Sequence, residues 1–409
     1  MRDVTRQVPC PRGIASQSGL ILADPGAGAD DGNSHTEVRT TVVHEAIPAR
    51  DSGAGGIRAF RRTDIPAVVA LRRQLFRSSE HASAAALESY LDQLFFTGPV
   101  ADDQLTSLVY EDENRKLAGF LGIVPRRMLF AGKPLRVAVA TQFMVSPQSR
   151  SFAARKLARA LISGPQDLTL SDAANAGARS MWASVGGRTS IAYSLAWTCP
   201  LRPLRYATMR AARTLPARAF AYGAKPLVAL ADAALKPRPR ASLMRESSEE
   251  PLDVKRHLPE LSETMERWTL RPRYMNESLA WVLERVAEKV RYGPLQQVVV
   301  RDSDRRLIGW FIYCLDRGGV STVVQFGSTR PGTECVLARM LEHARSRGAV
   351  ALAGRLDPSI AEELSEHGAT FTREGPWLLY HSRHHGIECA IESGAAFLSR
   401  LEGEWWMGF

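Results

Sequence analysis

Three short segments of this chain return in the same order 180 to 190 residues later. Lys116-Leu117-Ala118-Gly119-Phe120 is echoed by Arg306-Leu307-Ile308-Gly309-Trp310, an offset of 190. Thr141-Gln142-Phe143 is echoed by Val324-Gln325-Phe326 at 183, and Lys156 to Leu161 by Val336 to Leu341 at 180. One such match could be chance. Three in register, with slowly drifting offsets, are expected of one unit duplicated with loop changes. The constraint is strong: the 409 residues should fold as two related halves, each large enough to bury a core.

The periods within each half mix strand and helix. Residues 1–56 are rich in Gly, Ala, Asp and Ser and hold no period, so a disordered leader is expected there. From Ile57 the expected order is a strand, two helices, and three strands at Leu105–Glu111, Leu117–Phe130 and Leu135–Val145. A basic helix from Ser151 follows, then a strand at Asp167–Ser171, a helix at Ala173–Val185 and a closing strand at Thr189–Thr198. This is an α/β, mixed-sheet pattern. The expected domains are 57–198, a basic helical linker at 199–250, a second half at 251–383, and a C-terminal helix with an aromatic tail at 384–409 packed on the second half.

Charge and cysteine usage narrow the class. The net charge is +10, and ten Lys or Arg stand against the single acid Asp232 between Arg202 and Arg245. That linker reads either as a solvated connector or as an attractor of an anionic ligand, and its irregular spacing does not suit a membrane-surface helix. No uncharged apolar run reaches the ~18 residues of a membrane span, and no stretch has the form of a secretory signal. The five cysteines form no CxxC pair and suit reduced thiols, so a cytoplasmic protein is expected.

The segment Phe143-Met144-Val145-Ser146-Pro147-Gln148-Ser149-Arg150-Ser151-Phe152-Ala153-Ala154-Arg155 joins a strand to a basic helix. It resembles the strand-to-helix turn of the GNAT superfamily of acyl-CoA-dependent N-acyltransferases, with Ala153 and Arg155 in place of the motif's small residues. A helix N-terminus presents free N–H groups to a pyrophosphate, and its dipole favours the anion. Further on, Asn175, Ala178 and Gly186 keep the register of the family's next helix, while Trp182 replaces its acidic tyrosine. An indole N–H donates a hydrogen bond but is no acid at neutral pH. In the second half, Pro331 and Glu334 make the equivalent turn a poor phosphate cradle.

The resemblance implies two GNAT-like halves joined by the basic linker, and acetyl-CoA or another acyl-CoA as cosubstrate, with no metal. It implies cofactor binding by Phe143, Met144, Val145, Arg150, Ser151, Phe152, Ala153, Ala154, Arg155 and Asn175. Asp172 and Trp182 are the nearest candidates for the catalytic pair; the plainer roles are a helix cap for Asp172 and packing for Trp182. The implied reaction is acyl transfer to the amine of a small molecule, sugar or amino acid lodged between the halves. Two alternatives stay open: a Fem-type transferase drawing on an aminoacyl-tRNA, which would be the one nucleic-acid partner, and a non-catalytic acyl-CoA or anion binder. His381, His384 and His385 complete no metal-ligand spacing and read as surface residues.

Overall fold

In a computed structural model of the protein, residues 56–76, 82–211, 232, 247–373 and 375–408 are described. The expected leader, but for Gly56, and seven of the linker's ten basic residues lie outside them. Of the linker, Pro203–Ala211 is a helix, and Asp232 accepts from the Leu204 and Arg205 N–H groups at its start. Among the described residues no helix is long and apolar enough to cross a membrane.

Two mixed sheets carry the fold. The strands in chain order are β1 (Ile57–Ala59), β2 (Leu108–Glu111), β3 (Leu117–Phe130), β4 (Lys133–Val145), β5 (Leu168–Ala174), β6 (Arg188–Ser190), β7 (Ala196–Pro200) and β8 (Ser248–Pro251). They continue as β9 (Leu270–Pro272), β10 (Leu295–Arg301), β11 (Leu307–Cys314), β12 (Val320–Ser328), β13 (Ala351–Arg355), β14 (Thr370–Thr372) and β15 (Trp377–Ser382). The helices used below are α1 (Ile65–Leu75), α2 (Ala84–Asp92), α3 (Arg150–Ile162) and α4 (Ala176–Ser184). They continue as α5 (Pro203–Ala211), α6 (Val254–Thr264), α7 (Asn276–Ala287) and α8 (Thr333–Ser346).

The first sheet runs β1-β2-β3-β4-β5-β15-β6, with β9 on the far end of β3; the second runs β14-β7-β13-β12-β11-β10-β8. In each, three antiparallel strands lead into a helix and then a parallel strand: β2-β3-β4-α3-β5 and β10-β11-β12-α8-β13. The long β3–β4 hairpin closes through Ala131 and Gly132, both at positive φ (48° and 79°), as a tight hairpin turn of matching twist requires.

The sheets do not follow the expected boundaries at 198 and 251. The single closing strand expected at Thr189–Thr198 is two short strands with a turn at Ala192–Ser194 between them. β6 stays at the edge of the first sheet, but β7 crosses to the second and lies between β13 and β14. In return β15 inserts between β5 and β6 of the first sheet. The side chains explain the crossing. Trp197 and Cys199, two apart on β7, face one way into the second core, while Tyr380 and Leu378 on β15 bury themselves in the interior shared by both sheets. The second sheet therefore holds one strand of the first half, β7, and the first sheet holds two of the second, β15 and β9.

Both sheets fork. β4 and β5 pair as parallel strands only through Val139↔Leu170, and beyond that point they part. β12 and β13 pair only through Thr322↔Ala353 and then part likewise. A bulge accompanies each opening: Gln142 and Phe143 together oppose Leu121, and Val324 is the extra residue opposite the Ile312–Tyr313 step. Gln142 sits at φ 49°, a strained setting for a non-glycine residue. Each echoed triplet, Thr141–Phe143 and Val324–Phe326, thus contains the bulge of its strand, one position apart.

Candidate active site in the first fork

The expected cofactor residues flank the mouth of the first fork. Past Val139 the β4 edge has no ladder partner on β5, which leaves the backbone of Phe143, Met144 and Val145 facing the gap. Their side chains serve the core: Met144 packs with α1 and α2, while Val145 and Phe143 pack under α3. Helix α3 starts at Arg150, its first turn holds no acid, and Ser149 places no side-chain cap on it. A 3-10 turn at Pro147–Ser149 runs into it and spends the Ser149 N–H on the Ser146 carbonyl at 3.1 Å, so an anion would meet only the N–H groups past that turn. Ala153 is fully buried, which brings the turn close to the sheet, and Arg155 points outward. Phe152 is exposed, with the Lys156 ammonium 4.2 Å above its ring. The side chains of Arg150 and Ser151 lie outside the described parts. Asn175 is exposed and caps α4, accepting from the Ala178 N–H at 2.9 Å.

Asp172 and Trp182 occupy other places than a catalytic pair would. β5 continues to Ala174, so Asp172 is a strand residue and no helix cap. Its buried carboxylate is ion-paired with the Arg355 guanidinium of β13 and accepts the Glu404 N–H at 2.6 Å. Trp182 is buried, and its indole N–H donates to the Tyr380 carbonyl on the crossed strand β15 at 3.2 Å. It covers Gly187, where a Cβ would fall 1.8 Å from the ring.

The group at the apex of the fork comes from the far end of the chain. Ser171 Oγ donates to Glu404 Oε1 at 2.7 Å, the Ala173 N–H donates to the same oxygen at 3.0 Å, and Thr141 of β4 also hydrogen-bonds the carboxylate. The residue as a whole is partly exposed, but its carboxylate is enclosed between β4 and β5. Burial, and then the Asp172 charge, push its pKa up to about 7. Gly403 makes the approach possible: a Cβ there would lie 1.9 Å from an Asp172 carboxylate oxygen.

The tail that delivers Glu404 binds both sheets, not the second half alone. Arg400 N–H donates to the Val324 carbonyl at 3.1 Å, and the Leu398 and Ser399 carbonyls accept from Arg355. The Leu401 carbonyl accepts from Arg126, the Met407 carbonyl from Tyr90, and Trp406 packs edge-on against Trp281 of α7. Sequence reasoning passed over Glu404 because its neighbours read as an aromatic docking segment. The usable signal was a carboxylate beside two tryptophans in a segment that had to bury itself.

The second fork is closed with protein groups. Gln325 accepts from the Trp310 indole at 2.8 Å and donates to Tyr274 Oη at 2.7 Å and Ser399 Oγ at 3.1 Å. A cavity of only about 30 Å³ remains there. At the start of α8, Arg267 donates to the Ser328 carbonyl at 3.0 Å, and Glu334 stands in the first turn. Among the described residues no group of three His, Cys, Asp or Glu is placed to hold a metal ion.

No family model matches the sequence, and no curated protein matches it. Solved structures do match the fold. One, from Anabaena variabilis ATCC 29413, is a GCN5-related N-acetyltransferase; it superposes at a TM-score of 0.53 with 14% identity, covering 80% of this chain and 72% of that one. This chain has a GNAT-like fold. A second GNAT-like match is a conserved protein of Enterococcus faecalis V583 described as a probable N-acyltransferase. Its TM-score is 0.53 at 10% identity, with the same 80% and 72% coverage. At these identities the likeness speaks to the GNAT-like scaffold, and the chemistry must be argued from the residues in it.

Proposed function

We propose that the protein is an acyl-CoA-dependent N-acyltransferase whose reaction takes place in the first fork, and that the two sheets are two GNAT-like units which exchange strands. The observation that carries this reading is the Glu404 carboxylate at the apex of the β4–β5 fork, with a pKa near neutrality. Acyl-CoA would supply an activated acyl thioester. The residues present suit it: an uncapped, acid-free first turn of α3 for the phosphates, Arg155 and Lys156 nearby, and the open β4 edge for the pantetheine amides.

Within that frame each residue has a task. Glu404, about half ionised near pH 7, accepts the proton of the acceptor's ammonium group and so frees the lone pair that attacks. The same proton is then available to the departing thiolate, a role for which Trp182 is no candidate. Ser171, Thr141 and the Ala173 N–H fix the carboxylate's direction. Asp172 and Arg355 are positioning residues, since they hold the tail rather than the reacting groups. The four free cysteines of the described residues suit the proposed cytoplasmic location.

The test is thiol release from acetyl-CoA and longer acyl-CoAs over a panel of amines, with Glu404→Gln alongside. The expected outcome is turnover that falls roughly 10²- to 10³-fold in the variant while CoA still binds. A wild-type chain that neither binds any acyl-CoA nor releases thiol would remove the reading.

A further inference from the structure

A cavity of about 370 Å³ lies outside the fork on the β3 side of the tail. That is the size of a small-ligand site. The tail links the cavity to the fork in sequence: Leu401 and Glu402 line the cavity, and Glu404, two residues on, stands at the apex. Its wall on β3, at Arg126 to Met128, faces Leu135 to Val137 across the hairpin, at the start of the three rungs that join β4 to β5, and the fork opens past the other end of those rungs.

The lining is strongly charged. Arg136 and Asp167 are already tied: the Arg136 N–H donates to Asp167 at 2.9 Å, and its guanidinium donates to Gln104 at 2.6 Å. Glu402 is fully engaged too, accepting from Tyr274, from Gln325 and, at 2.7 Å, from the Ser399 N–H. Among the described residues none of the four lining guanidinium groups has a carboxylate within 4 Å, and apart from the Arg136 group on Gln104 three remain. Arg126 donates one N–H to the Leu401 carbonyl and lies 4.8 Å over the Trp406 ring, but its buried Nε has no partner. Arg127 touches only the Met275 sulfur at 3.3 Å, and Arg273 stands exposed at the rim. Burial still lowers the Arg126 pKa although the Glu402 and Asp172 charges return part of the lost solvation, and an incoming anion would offset more of it. The rest of the wall, Val100, Met128, Leu135 and Met275, is apolar.

We infer that this cavity holds the acceptor, and that the acceptor is an amine which also carries a carboxylate, of amino-acid or short-peptide size. The arginines take the carboxylate, the apolar wall takes the side chain, and the amine is left to point along the tail toward Glu404. This rests on the transferase reading and adds the class of substrate to it.

The probes are N-acetylglycine, N-acetylleucine and N-acetylphenylalanine, each beside its amide, titrated calorimetrically into the full chain with and without saturating CoA. At least one acid is expected to bind about tenfold or more tightly than its amide, the worth of a charge-assisted bond. Arg126→Gln, and separately the double variant Arg127→Gln/Arg273→Gln, should bring that preference below about threefold. The double variant alters exposed positions, so the test survives if R126Q does not fold. Equal affinity of acids and amides, no binding by any acid, or a preference that outlasts both variants would overturn the inference. CoA heats decide the transferase reading separately: CoA binding without acid preference defeats only the substrate class, and acid preference without CoA binding defeats only the transferase reading.

Discussion

The two forks have the same strand geometry and opposite contents. In the first, β4 and β5 part beyond Val139 around the Glu404 carboxylate, its pKa pushed up to about 7, and the helix behind begins without an acid or a side-chain cap. In the second, β12 and β13 part beyond Thr322 around a satisfied amide. Gln325 is bonded on both sides, Arg267 holds the loop, and Glu334 sits where an anion would have to approach. A fork is thus a scaffold feature that either half can adopt. Whether it can do chemistry depends on which polar groups its apex leaves available. The tail from Leu398 to Gly408 makes the difference, because the same ten or so residues finish filling one fork and arm the other.

If the tail couples the forks, the bridge at Arg355 is where the coupling is most easily broken. Its guanidinium joins β13 to Asp172 and to two tail carbonyls. Removing one partner of a buried pair leaves the other charge uncompensated, so Arg355→Leu should cost about 3–5 kcal/mol in urea unfolding. Pairing it with Asp172→Asn should recover part of that loss. A single-variant cost under about 1 kcal/mol would mean that the forks are not tied through this seam.

A smaller effect should appear in stability against pH. The native pKa of Glu404 lies near 7, against 4.5 for an unperturbed glutamate. Between those values the native state binds more protons than the unfolded chain, so this group's contribution falls as pH rises. Glu404→Gln removes that titration. The variant should gain on the wild type by on the order of 2–3 kcal/mol between pH 4.5 and pH 8, measured by denaturant unfolding across the range. A flat difference would show that the carboxylate is not held near neutrality.

Much of this comparison was legible in the residues. The echoes placed the two β-β-β-α-β runs, and the echoed triplets Thr141–Phe143 and Val324–Phe326 each contain a bulge. The acid-free start of α3 and the Glu334 of its counterpart were visible as charges. The strand exchange was not, because alternation on β7 and β15 reports a face to bury without naming the sheet that buries it. Asp172 read as a helix cap because β5 was expected to end at Ser171, three residues early, an error typical of element ends. Glu404 was hidden for a different reason. Its place comes from strands more than 230 residues away in sequence, and the tryptophans beside it mark a segment that must bury itself without naming the strands it meets.

The weakest expected effect separates the two helix starts. Arg155→Glu with Lys156→Glu in α3 should lower CoA affinity roughly three- to tenfold at low salt, while Glu334→Gln in α8 should leave it unchanged. Equal responses would place the phosphates at neither helix or at both.

The claim that only the first fork takes the cosubstrate is tested most directly by hydrogen exchange of the full chain with and without CoA. The account predicts slowed exchange at Thr141–Val145 and in the first turn of α3, with no change at Val323–Ser328 or in the first turn of α8. Protection confined to the second set, or spread equally over both, would contradict it.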